Sequence, residues 1–159
     1  MRRILLLRSA RHHQIAAIMK AIEESPGEKS VTLLVQAWSL REFSGFADAG
    51  IAVYYGESFS FSRLLLRHYA AMAGKFDEVV IPYNDIFGKG YTAIRLFSAL
   101  LGPSVVTTVN VNGFIEASGP AALLMYGLFS WAAKAARLLG ASAYCVYIAA
   151  ALILKRGAK

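Results

Sequence analysis

Three observations predict an α/β fold with a mostly parallel sheet. Short continuous apolar runs of strand length alternate with segments whose apolar residues recur at helical spacing. Clusters of Gly, Pro and Ser separate the two kinds of segment. The stretches between successive strands are long enough for helical crossovers, which parallel neighbours require. A chain of 159 residues can bury the core of one such domain without disulfides.

Arg3 to Arg8 is a continuous apolar run, the pattern of a strand covered on both faces. Ile15, Ala16, Ile18, Met19 and Ile22 then follow helical spacing until Ser25-Pro26-Gly27 stops the helix. Val31–Val35 is a second strand, and a poorer helix is expected over Leu40–Ala49, closed by Gly50. Ile51–Tyr55 is a third strand. Ser62–Ala73 is helical, with Leu64, Leu65, Tyr69 and Met72 available to the core and Gly74 as its stop. Val79–Ile81 is a fourth strand broken by Pro82, and Gly88–Leu101 supplies a helix ended by Gly102-Pro103. Val105–Val111 is a fifth strand, Asn112-Gly113 a turn, and Phe114–Ser118 a short hairpin arm. The expectation is a single Rossmann-like domain over 1–119, with about five mostly parallel strands and helices on both faces. An apolar helical region over 120–159 follows, beginning at Gly119-Pro120.

Hydrophobic residues make up 57% of the chain and charged residues 17%, which predicts apolar surface facing something other than water. The net charge of +7 is unevenly spread. Residues 1–119 hold 12 Lys and Arg against all 10 acids, whereas residues 120–159 hold 5 cations and no acid. Those cations, Lys134, Arg137, Lys155, Arg156 and Lys159, flank apolar stretches, the pattern of an anchor to anionic headgroups. A nucleic-acid binder would carry its basic residues on one face of the folded domain, so nucleic acid is not the expected partner. The opening Met1-Arg2-Arg3 is not read as a leader, because Arg8 interrupts its apolar run after four residues, short of the ~7–15 an export signal uses. The lone Cys145 excludes an internal disulfide.

Between Ala121 and Leu154 the only charges are Lys134 and Arg137. Leu138–Leu154 as a helix spans roughly 25 Å, just under the ~30 Å hydrocarbon core. Ala121–Ala133 is too short to cross. A short anchor, a re-entrant hairpin and an interfacial helix all fit, and the basic clusters favour the last two, with both clusters on the cytoplasmic side. Ala121–Ala133 equally fits a last helix covering the sheet, and a homo-oligomer burying the tail is the remaining reading.

In an open parallel sheet, ligands bind beyond the carboxyl ends of the strands. After the first strand, Arg8, Ser9, Arg11, His12 and His13 bring two guanidiniums, a hydroxyl and two imidazoles to a helix start, a place suited to a phosphate or sugar-phosphate. His13 or His12 is the candidate general base near neutral pH. After the fourth strand, Asn84, Asp85 and Lys89 are the candidates, with a helix cap as their plainer role. After the fifth, Asn110 and Asn112 offer amides to sugar hydroxyls and equally suit a turn. Gly88-Lys89-Gly90 lacks P-loop spacing, no G-x-G-x-x-G follows the first strand, and no metal-ligand spacing or nucleophile elbow occurs, so neither cofactor nor metal is expected. The missing glycine fingerprint also disfavours a nucleotide-dependent oxidoreductase.

Ile4-Leu5-Leu6-Leu7-Arg8-Ser9-Ala10, followed by an apolar helix, resembles the opening of heptosyltransferase-like glycosyltransferases of the two-Rossmann-domain (GT-B) class. Phe76-Asp77-Glu78-Val79-Val80-Ile81 resembles their later strand, and the resemblance covers roughly residues 3–118. It implies an acceptor-side half. In that family a Gly-Asp pair ends the first loop and its aspartate is the base, whereas His12 and His13 stand at the matching positions here. No second, donor-binding Rossmann half follows, and the apolar tail stands in its place. That plan is similar to split glycosyltransferases, in which a membrane-bound subunit recruits a soluble donor-binding one.

The expected function is a membrane-associated, glycosyltransferase-like protein that binds a sugar-phosphate or lipid-linked acceptor in cell-envelope glycan or glycolipid assembly. It would work at the cytoplasmic face of a bacterial inner membrane with a soluble donor-binding partner. The alternative is a non-catalytic membrane scaffold that docks a soluble partner.

Overall fold

The computed structural model describes residues 1–43, 45–46, 49–85, 90–129, 132–133 and 136–137. The chain is an α/β protein built on a six-stranded sheet. The strands are β1 (Arg2–Leu7), β2 (Lys29–Gln36), β3 (Gly50–Tyr54), β4 (Glu78–Pro82), β5 (Val105–Val109) and β6 (Ile115–Ser118). Their spatial order is β3-β2-β1-β4-β5-β6, and every pairing is parallel except β5 with β6. The helices are α1 (His12–Glu24), α2 (Phe61–Met72) and α3 (Thr92–Leu100), with a 3-10 helix at Ala37–Phe43 and a further helix over 120–129.

Strand periodicity divides the core into two clusters. Leu5, Leu7, Val79, Ile81 and Val106 point to one face, where Leu64 and Met72 of α2, Phe97 of α3 and Leu123 cover them. Ile4, Leu6, Val80 and Val109 point to the other, where Ile15 and Met19 of α1 and Phe43 pack. The buried leucines of β1 each contribute about 1.5–3 kcal/mol of transfer free energy. At the amino edge, Asp77 joins β1 to β4. Its carboxylate accepts the Arg3 N–H at 2.8 Å and pairs with the Arg3 guanidinium at 3.0 Å. Those hydrogen bonds and that charge hold the Asp77 carboxyl down at about 2.

Several elements differ from the sequence expectation. The helix expected over Leu40–Ala49 is instead the 3-10 turn Ala37–Phe43, whose Ala37, Leu40 and Phe43 recur every third residue, the period of that helix. The helix expected from Gly88 begins at Thr92, after Gly90 turns the chain with φ +87°. Pro82 does not break β4 but closes it, at a strand end where its missing N–H costs no ladder bond. The hairpin arm expected over Phe114–Ser118 is present as the antiparallel strand β6, entered through Gly113 at φ +76°, a conformation other residues resist.

The chain divides into two compact units, Met1–Leu124 and Met125–Lys159. In the second, Met125, Tyr126, Leu128 and Phe129 are exposed, as is Arg137. Lys134, Lys155, Arg156 and the stretch Leu138–Leu154 lie outside the described residues. Among the described residues no helix is long and apolar enough to cross a membrane.

Candidate functional site at the carboxyl edge

The strand order reverses between β1 and β4, because β1 connects outward through β2 and β3 while β4 leads the other way through β5. The loops leaving these two strands diverge there and open a crevice, the place where open α/β sheets hold ligands.

A set of hydrogen bonds ties the two loops together. Ser9 Oγ donates to the Pro82 carbonyl at 2.6 Å. The Tyr91 hydroxyl donates to the Ser9 carbonyl at 2.9 Å and accepts the Asn84 N–H at 3.0 Å. The Arg11 N–H donates to Asn84 Oδ1 at 3.2 Å, and Gln14 Nε2 donates to the Tyr83 carbonyl at 3.1 Å. Burial pushes the Tyr91 and Tyr83 phenols up, so both stay protonated throughout the physiological range. The hydrogen bonds that tie the two loops are therefore made between neutral groups.

Two cavities flank this latch. A crevice of about 390 Å3 lies between the ends of β1, β2, β3 and β4, with Arg11, Gln36, Glu57, Ser58, Asn84 and Tyr91 among its polar walls. A longer trough of about 740 Å3 runs beneath α1 along β4 and β5, and His13 and Asn110 stand at its carboxyl end. Arg11 and Asn84 line both, so the bond between them is a shared wall. Both volumes fall within the ~300–1,000 Å3 of small-ligand sites.

The residues singled out in the sequence fall into distinct places. Arg8 and Ser9 line the crevice, yet both are largely engaged in the fold. The Arg8 guanidinium sits 4.4 Å from the Trp38 ring centroid and reaches Gln36 at 3.4 Å and Glu42 at 3.5 Å. His12 packs its ring against Phe43 and Phe46, at centroid distances of 5.1 and 6.0 Å. His13 and Arg11 are exposed at the start of α1. Asn84 is exposed, and Asp85 follows it, half-buried, in a bend. Asn110 is buried, and its Oδ1 accepts the N–H groups of Asn112 at 2.9 Å and Phe114 at 3.0 Å, which shapes the turn into β6. Lys89 lies outside the described residues. Among the described residues no group of three or more His, Cys, Asp or Glu is placed to hold a metal ion.

Sequence reasoning missed Gln36, Glu57, Ser58 and Tyr91 in the crevice and the apolar walls of the trough, although it singled out Arg11, His13, Asn84 and Asn110 of the trough's lining. Gln36, Glu57 and Ser58 follow strands whose carboxyl ends were themselves legible, so position alone marked them. No local motif marked the trough, because its walls come from α1, β4, β5 and β6 together. Comparison with protein families, curated proteins and solved structures found no match to the chain.

Proposed function

We propose that the chain is a membrane-associated, glycosyltransferase-like module that holds an anionic sugar acceptor, a sugar-phosphate or a lipid-linked one, at the carboxyl edge of its sheet. The observation that carries this reading is the crevice at the reversal of strand order. Its wall combines two guanidiniums, two amides, a carboxylate and hydroxyls, donors and acceptors suited to a phosphate beside sugar hydroxyls. His13, across the Arg11–Asn84 wall, is the group proposed to take a proton from an acceptor hydroxyl. A soluble partner would supply the donor-binding half, as the resemblance to split GT-B enzymes suggests. The exposed Met125, Tyr126, Leu128 and Phe129, with the acid-free basic tail, support attachment to the cytoplasmic face of a bacterial inner membrane.

A scaffold that docks a partner at the membrane is the second reading. It is favoured by one observation: Arg8 stacks on Trp38 and pairs with Gln36 and Glu42, and the Ser9 hydroxyl bonds the Pro82 carbonyl, so both side chains serve the fold.

Calorimetric titration of the full chain with glucose 6-phosphate, beside flotation with anionic vesicles, separates the two. Binding that weakens at least tenfold in Arg11→Ala, with flotation unchanged, supports the acceptor site. Flotation without any sugar-phosphate binding supports the scaffold.

A further inference from the structure

The trough beneath α1 has a chemistry different from that of the crevice. Its floor is apolar, formed by Ile4, Val80 and Val109 of the sheet, and Ile18 and Ile22 of α1 form one side. The opposite side is Ile115 of β6, which is 64% exposed. Charge is confined to the two ends. At the amino end the buried Glu78 is held by Arg2 at 2.6 Å and by the Thr107 hydroxyl, so the single carboxylate of the lining is neutralised within the protein. At the carboxyl end stand Arg11 and His13, both exposed, with the amides of Asn84 and Asn110 and, among the described residues, no acid at that end of the lining. An apolar channel with one neutralised end and one cationic end is complementary to an anionic amphiphile entering head-last.

Length and charge select among apolar occupants. The 13 residues of α1 give a length of about 20 Å, and the five-residue strands β4 and β5 about 17 Å. A helix from a partner or a second copy would leave the cationic end without a counter-charge, whereas a hydrocarbon chain that ends in a phosphate meets both the apolar floor and the pair Arg11 and His13.

We propose that the trough takes the hydrocarbon chain of a phosphate-linked lipid, with the phosphate at Arg11 and His13. This rests on the acceptor reading above and adds to it the lipid and its berth. The Arg11–Asn84 wall then lies where the phosphate ends and the sugar begins, so the chain occupies the trough and the sugar crosses into the crevice.

The test titrates the full chain with butyl, octyl and dodecyl phosphate and with dodecanol, all below micelle-forming concentrations. Affinity is expected to rise at least tenfold from butyl to dodecyl phosphate, and dodecanol is expected to bind at least tenfold more weakly than dodecyl phosphate. Ala21 is exposed on the α1 lip of the trough, so Ala21→Phe obstructs the channel without touching the core. It should abolish the chain-length effect while leaving glucose 6-phosphate binding unchanged. Ala17→Phe, one turn earlier on the same lip, repeats the test. Equal affinity for butyl and dodecyl phosphate overturns the proposal, and so does a chain-length effect that survives both variants. Either result with glucose 6-phosphate still bound in the crevice removes the trough alone. Loss of glucose 6-phosphate binding from the unaltered chain removes the acceptor reading beneath it.

Discussion

On one face of the sheet, α2, α3 and the helix carrying Leu123 close over β1, β4 and β5, whereas on the other α1 covers β1 and leaves β4, β5 and β6 beside a trough. The strands are the same strands, and their two faces carry similar aliphatic side chains. The difference comes from connectivity. The right-handed crossover from β4 to β5 puts α3 on the face that α2 already covers, so α1 alone among these helices packs on the other face, and after β5 the chain turns back at Gly113 to form β6. The closed face is thus where stability should concentrate, and the open face is where a ligand can enter without displacing packed atoms.

Truncation on the two faces tests this directly. Phe97 is fully buried in the closed face, and Phe97→Ala should lower the urea-unfolding free energy by about 3–5 kcal/mol. Ile18, half-buried at the trough, should cost about 1–2 kcal/mol as Ile18→Ala. Equal losses would mean that the trough is closed in solution.

Removing the turn that opens the trough is the next largest effect. Asn110→Ala strips the acceptor from the Asn112 and Phe114 N–H groups and should cost about 1–3 kcal/mol. Hydrogen exchange should speed up in β6 and hardly change in β1 and β2.

The smallest effect is an acid dependence. The neighbouring Arg3 lowers Asp77 to about 2, so its link between β1 and β4 is fully present above the ordinary carboxyl value of 3.8 and is lost as pH falls through about 2. His68 works in a different window. Burial and Arg67 lower its pKa below 6.5, so the folded state favours the neutral ring and stability declines as pH drops below that value. Asp77→Asn should remove the acid-limb slope below pH 4, and His68→Phe should flatten the slope between pH 7 and 5. Unfolding midpoints from pH 7 down to about 2 check both.

The strand positions were legible because a parallel strand buried on both faces reads as an unbroken aliphatic run, and Ile4–Leu7 and Val79–Ile81 are such runs. Helix starts were less legible. The first turn of α1 holds polar residues, so its apolar rhythm begins only at Ile15 although the helix begins at His12. The carboxyl-edge loops followed from topology, and the residues on them were found by type. Their orientations were not, because partners distant in sequence set them. Arg8 turns toward Trp38 and Glu42 because the 3-10 helix brings an aromatic face and a carboxylate there. Asp77, read as part of a family-like motif, clamps the amino edge of the sheet, opposite the candidate site. Nothing local to Arg8 or Asp77 encodes either outcome.

The pairing of β1 with β4 joins segments some 74 positions apart, whereas β5 and β6 meet across a five-residue turn. Closing a loop of that length is entropically slow, and the hairpin can form early and alone. The crevice between β1 and β4 therefore exists only when the longest-range pairing of the sheet is made. A ligand seated there has no partly folded species to bind, so its whole binding free energy adds to the global unfolding free energy of the first unit. Occupancy of the site and completion of folding become one cooperative event.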